Sequence, residues 1–324
     1  MILKADRFVL FIIVVITLAY FFPQWGAKTS PVPLDIIGTI GISLIFFFYG
    51  LKLSPQKLVA GLKNWKLHVL VQVSTFILFP LIVIPFYSLV NTAHQETMWL
   101  AILFLSALPS TVSSSVVMVS IARGNIPAAI FNASISGIIG IVFTPLWMGL
   151  FLKQTGENFN LGSVYIKLIL EILVPVFAGL LLQRFWGKYA QHYSKQLTTF
   201  DKSVILLIIY KSFAESFDEK IFSSVGLVEL LLVAAAVIGM FFIMYFGTAY
   251  LGRFLKFNTE DRITAQFCGT KKSLVHGTVF SKILFGNMAT TGIILLPLML
   301  FHAFQILFIS IIATKLAKRE TDTI

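Results

Sequence analysis

An all-α polytopic membrane protein of about ten transmembrane helices, arranged as two inverted five-helix repeats with a broken fourth and a broken ninth helix that cross, is what the sequence predicts. Three observations carry this. The chain of 324 residues is 57% hydrophobic and only 12% charged, about half the charge of an ordinary soluble domain. Apolar runs long enough to cross a bilayer, about 17 to 25 residues each, recur throughout. Two of these runs carry polar interruptions at matched places in the order of helices.

The runs have approximate cores at Phe8 to Phe22, Leu34 to Leu51, Leu67 to Val90, Met98 to Ile121, Pro127 to Leu152, Val164 to Trp186, Val204 to Phe217, Leu227 to Phe254, Ile263 to Phe285 and Thr290 to Leu316. The first follows Lys4 and Arg7 as a signal peptide would, but no small-residue cleavage site appears before "FFPQWG", so a retained helix is expected. Asp35 and Glu229 lie near the starts of the second and eighth runs and read as interfacial acids. The sixth run, "YIKLILEILVPVF", sets Lys167 one turn before Glu171, an i,i+4 pair that can satisfy itself. The longest stretch between runs, near Gly187 to Phe200, is too short to build a core, so one membrane domain spanning 1–324 is expected. The 32 phenylalanines read as lipid-facing and packing material.

A net charge of +11 is dealt out in small groups between the runs, which argues for topology and against a nucleic-acid surface. Lys4 and Arg7; Lys52, Lys57, Lys63 and Lys66; Arg123; Arg184, Lys188, Lys195 and Lys202; Arg253, Lys256 and Arg262; and Lys315, Lys318 and Arg319 all fall on one side of this arrangement. The other side holds mainly Lys28, Lys153 and Lys220, beside Glu96, Glu157, Asp218 and Glu219. The positive-inside rule then places both termini in the cytoplasm, in a plasma or bacterial inner membrane. One cysteine, Cys268, excludes a disulfide framework and offers no metal cluster.

In the fourth run, "LSALPSTVSSSVVMVSIARGN", Pro109 and a series of hydroxyls interrupt the apolar pattern at mid-depth; in the ninth, "CGTKKSLVHG" does so with Gly269, Thr270, Lys271, Lys272, Ser273 and Gly277. An offset of five helices inverts membrane orientation, as expected of inverted halves, here 1–159 and 160–324. Backbone unwinds at membrane depth only where protein or a water-filled cavity satisfies it. Two such segments that cross bring half-helix N-termini, suited to an anion, together with carbonyl ends, suited to a cation. The plainer reading is a kink at Pro109 with Thr111, Ser113, Ser114 and Ser115 bonded to their own helix.

The motifs "LPSTVSSSV", "ARGN", "FNAS" and "TP", followed by "FCGTKKSL", resemble the bile acid:sodium symporter superfamily over essentially the whole chain, most closely the sodium-bile-acid-symporter-like branch that includes the seventh human member of solute carrier family 10. The resemblance implies a core of helices three to five and eight to ten moving against a panel of helices one, two, six and seven, with ions at the crossed breaks. It also implies a first sodium site drawn from Ser114 and Ser115 at the fourth-helix break and from Asn132 and Ser136 on the fifth helix. Substrate and ion contacts are expected from Thr111, Ser113, Gln266, Thr270, Lys271, Lys272 and Ser273 as well. The ninth helix departs from the family's E-x-G-x-Q-N: Phe267 stands for the Glu, Lys271 for the Gln and Lys272 for the Asn.

A charge at bilayer depth costs at least roughly 2.5 to 3.5 kcal/mol, so the paired lysines need a compensating reason. Two cations 4 Å apart repel by about 4 kcal/mol at an effective dielectric of 20, so Lys271 and a second sodium do not share one place. Lys271 replaces that ion permanently, or titrates and couples transport to protons, or pairs with an anionic substrate, or sits in an internal salt bridge. Gln72, Glu171 and His276 are the candidate coupling residues, with simple packing as the alternative for each.

"GTKKS" does not meet the phosphate-loop pattern, and Ser113 to Ser115 have no nearby base, so no enzyme is expected. The expected function is alternating-access uptake of a small organic anion, with sodium as the only candidate cofactor and no nucleic-acid partner. The alternative is a non-transporting or proton-coupled membrane regulator that keeps the fold but has lost the second sodium site.

Overall fold

The computed structural model describes residues 7–27, 30–53, 64–111, 113–152, 161–220, 223, 225–285, 288 and 290–319. Lys4, Lys28, Lys57, Lys63, Lys153, Glu157 and the 159/160 boundary between the expected halves lie outside the described residues, as does the side chain of Ser113.

Helix is the regular structure of the described residues, in the order α1 (Arg7–Phe21), α2 (Leu34–Lys52), α3 (Trp65–Leu89), α4 (Ala93–Ala107), α5 (Ser113–Ile121), α6 (Ile126–Leu152), α7 (Leu161–His192), α8 (Ser194–Asp218), α9 (Leu227–Phe254), α10 (Thr259–Gly269), α11 (Leu274–Phe285) and α12 (Thr291–Ala317). Six of them, α2, α3, α6, α7, α9 and α12, are long and apolar enough to cross a bilayer. The fourth and ninth runs are split, into α4 with α5 and α10 with α11. The stretch near Gly187 to Phe200 is not the loop the polar residues suggest: α7 runs to His192 and α8 starts at Ser194. Its Lys, Gln, Leu and Ala are good helix formers, and a helix end in water tolerates the charge of the lysines.

The chain divides into two units. The first takes Met1–Ser54, Met148–Leu230 and Val275–Leu296. Within it α2 and α7 touch backbone to backbone, because Gly50 faces Val176 O and Gly179 faces Phe47 O with no room for a Cβ at either place. Tyr210 of α8 donates its hydroxyl to Phe22 O at 2.7 Å, fixing the end of α1.

The second unit takes Pro55–Trp147, Leu231–Leu274 and Pro297–Ile324. A nest of rings, Phe241 edge-on to Phe301, Phe304 and Phe308, joins α9 to α12. The "ARGN" segment has a structural role here. Arg123 ends α5 in the left-handed region at φ 53°, and a Cβ on Gly124 would crowd Thr264. Asn125 caps α6 by accepting from Ala128 N at 3.1 Å, and donates to the buried Asp261 of α10 at 2.7 Å.

Candidate functional site

The site lies in the second unit, where the two breaks meet. Pro109 stops α4, and the last carbonyls of that helix are left without intrahelical donors. Each finds one elsewhere: Ala107 O accepts from Thr144 Oγ1 at 2.8 Å, and Ser106 O and Leu108 O accept from Lys272 Nζ at 2.6 and 2.9 Å. The breaks are also stitched directly, with Ser273 N donating to Pro109 O at 2.9 Å and Ser110 Oγ to Cys268 O at 2.6 Å. Ser110 N donates to Ser136 Oγ at 2.9 Å.

On the other side of the break, Gln305 of α12 clamps the main chain of Lys272. Its Oε1 accepts from Lys272 N at 2.9 Å and its Nε2 donates to Lys272 O at 2.8 Å. Gln305 and both lysines are completely buried.

A third helix contributes through a proline. In α3 the turn Ser74–Leu78 is a π-turn, in which Phe79 N donates to Ser74 O. The same pattern would pair Thr75 O with residue 80, but Pro80 has no N–H. Thr75 O is therefore free to accept from Lys272 Nζ at 2.7 Å. Pro80 also leaves Phe76 O without an α-helical donor, and the indole of Trp147 supplies one at 2.8 Å.

The two lysines are treated differently. The ammonium of Lys272 meets three main-chain carbonyls and lies 4.1 Å from the centroid of the Phe79 ring, so all three of its donors are used. The ammonium of Lys271 donates to Ser114 Oγ at 2.8 Å, within a trio of hydroxyls in which Thr111 Oγ1 is 2.6 Å from Ser114 Oγ and 3.0 Å from Ser115 Oγ.

The other expected residues are placed as follows. Asn132 accepts from Gln72 Nε2 on both its side-chain and main-chain oxygens, at 3.2 and 3.3 Å, and donates to Ala128 O at 3.0 Å. Gln266 turns its amide to Tyr245 O at 3.3 Å, and Thr270 Oγ1 donates back to Gln266 O at 2.6 Å. Phe267 is fully buried. Glu171 and His276 belong to the first unit. There Glu171 feels the charges of Lys282 and Lys167, while His276 packs edge-on to Phe46 and Phe280, at 5.5 and 5.9 Å. That unit also holds a polar pocket unforeseen from the sequence, lined by Asp35, Lys211, Glu215 and Lys282. Lys211 bridges Asp35 and Glu215 at 3.2 and 3.1 Å, and Lys282 donates to Asp35 O at 2.7 Å. Gln305, Phe79 and Asp261 were likewise missed; only Pro80, breaking an apolar run, signalled a freed carbonyl.

Paired helix breaks with buried charges, set among helices long enough to span a bilayer, define a polytopic membrane transporter. Residues 6–318 match the SBF-like CPA transporter family, and the chain belongs to that family. It is 38% identical over 317 residues to an uncharacterized protein of Pseudomonas aeruginosa, covering 98% of this chain and 94% of the relative. It is 35% identical over 318 residues to the putative symporter YfeH of Escherichia coli K12, at 98% and 94% coverage. It is 30% identical over 317 residues to sodium/bile acid cotransporter 7 of Xenopus tropicalis, at 96% and 91% coverage. The family and the symporter and cotransporter relatives are transporters and not enzymes, so this chain is an integral membrane transporter of the bile acid:sodium symporter type.

Proposed function

We propose that the protein is a secondary active transporter that moves a small organic anion by alternating access, in a plasma or bacterial inner membrane with both termini cytoplasmic. The observation that carries this reading is the meeting of the two breaks around the buried Lys271 ammonium. The N-termini of α5 and α11, which begin at Ser113 and Leu274, add partial positive charge to the same segments. An anion is the complement of that arrangement. In this reading the chain has ten spans in two inverted repeats, 1–159 and 160–324. The division into units supports a panel of spans one, two, six and seven, since these fall in the first unit. Val275–Leu296 groups with that unit too, although the resemblance assigns the ninth span to the core.

At most one sodium ion accompanies the substrate, at Ser114, Ser115 and Asn132, and it competes with Lys271 for the Ser114 hydroxyl. Uptake of carboxylate and sulfonate anions into proteoliposomes, under imposed sodium or proton gradients, tests the reading. Uptake that depends on a gradient and is lost in Lys271→Met is the expected result. Uptake driven by neither gradient for any anion would favour the non-transporting regulator. For the ion, the pair Lys271→Gln with Phe267→Glu is expected to gain a sodium-specific thermal stabilisation that the parent lacks, with potassium as control. Two-site sodium binding by the parent would refute the limit of one ion.

A further inference from the structure

We propose that the meeting point of α3, α4 and the ninth-helix break is a cage for a small monovalent cation, and that its resident cation is the chain's own Lys272 ammonium. This stands whether or not the protein carries an organic anion, because it concerns what holds the breaks together. The cage consists of Thr75 O, Ser106 O and Leu108 O, at 2.7, 2.6 and 2.9 Å from Nζ, with the face of Phe79 at 4.1 Å. These are charge-assisted hydrogen-bond lengths, and the negative face of an aromatic ring attracts a cation more strongly than it does a neutral group.

Each carbonyl is available for a backbone reason independent of the lysine. Ser106 O and Leu108 O belong to the end of α4, which Pro109 terminates, and they carry the negative pole of that helix. Thr75 O is released by the π-turn followed by Pro80. Main-chain oxygens cannot rotate away as side chains do, so the three acceptors stay converged. The lysine is equally fixed, because Gln305 holds both its N–H and its C=O. Hydroxyl or carboxylate ligands would have suggested a hydrogen-bonded core; three converged carbonyls and a ring suggest a cation site with a tethered occupant. Lys271, one residue earlier, meets hydroxyls and no such cage.

Cutting the tether tests the assignment. Lys272→Ala leaves the carbonyls and the ring in place with room where the side chain lay. Thermal melting of purified parent and variant is compared in choline chloride and in ammonium, methylammonium, sodium or potassium chloride at constant ionic strength. The variant is expected to melt several degrees below the parent in choline and to regain at least half of that loss, saturably, in ammonium or another small cation. The parent should gain nothing from ammonium. Lys272→Arg, which keeps the charge but spreads its donors over a planar fork, is expected to melt well below the parent and to respond to no cation. A variant that melts no higher in ammonium, methylammonium, sodium or potassium than in choline overturns the proposal. Should Lys272→Ala fail to fold, Lys272→Arg decides alone: a melting temperature equal to the parent's would show that charge, and not a cage, is what the position requires.

Discussion

Replacing Gln305 by leucine is the sharpest probe of how the two breaks are held. The change nearly conserves volume, so it tests hydrogen bonding with little cavity cost. It removes the acceptor 2.9 Å from Lys272 N and the donor 2.8 Å from Lys272 O, and both orphaned groups are completely buried. A buried polar group left without its partner costs about 1 to 3 kcal/mol, so the two together should cost about 2 to 6 kcal/mol. If the loss is local, opening of the break becomes about 30-fold more frequent at 2 kcal/mol. The chain supplies its own reporter, since Cys268 is its one cysteine and is buried next to the break. Maleimide labelling of Cys268 in detergent-purified protein should therefore accelerate at least tenfold in Gln305→Leu, with a melting temperature several degrees lower. Labelling and melting unchanged from the parent would refute the claim that this amide clamps the ninth-helix break.

Three further outcomes are expected. Gly50→Ala and Gly179→Ala should each cost at least about 1 to 3 kcal/mol, read as lost folded yield and lower melting temperature, because the added Cβ strikes main-chain oxygen on the facing helix and only separation of α2 from α7 can relieve it. Trp147→Phe should cost about 1 to 3 kcal/mol in thermal melts by leaving Phe76 O unpaired, whereas the same change at the exposed Trp186 should cost nearly nothing. Reporter fusions should place Ile324 on the same side of the membrane as the segment from Lys52 to Lys66, and opposite placement would sink the topology together with the inverted repeat.

Local pattern in the sequence was enough to locate the helices and their interruptions. Apolar runs became helices with ends displaced by a few residues, save the seventh, whose helix begins at Ser194 and not at Val204, and Pro109 and Gly269 marked places where the helical pattern stops. Partners distant in sequence were not legible. Lys272 finds carbonyls 164, 166 and 197 residues away, and nothing around it foretold that it, rather than Lys271, would be the one enclosed. Gln305 reads as one polar residue in an apolar helix until the main chain of Lys272 is seen against it. The π-turn in α3 is a register shift of one hydrogen bond, which no hydrophobic period records. Around Gly187 to Phe200, polarity reported water and not loss of helix, because Lys188, Ala190, Gln191, Lys195, Gln196 and Leu197 favour helix there.

The Lys272 cage orders events during synthesis. Its three carbonyls lie in segments made early, and the ammonium that fills them is translated more than 160 residues later. When α10 and α11 leave the ribosome, the break between them carries Lys271 and Lys272, whose entry into lipid costs at least about 2.5 to 3.5 kcal/mol each. The oxygens that offset this for Lys272 already wait in α3 and α4. The late broken helix thus enters the bilayer after the earlier segments of its own chain that carry the three carbonyl partners of Lys272, as a key made after its lock.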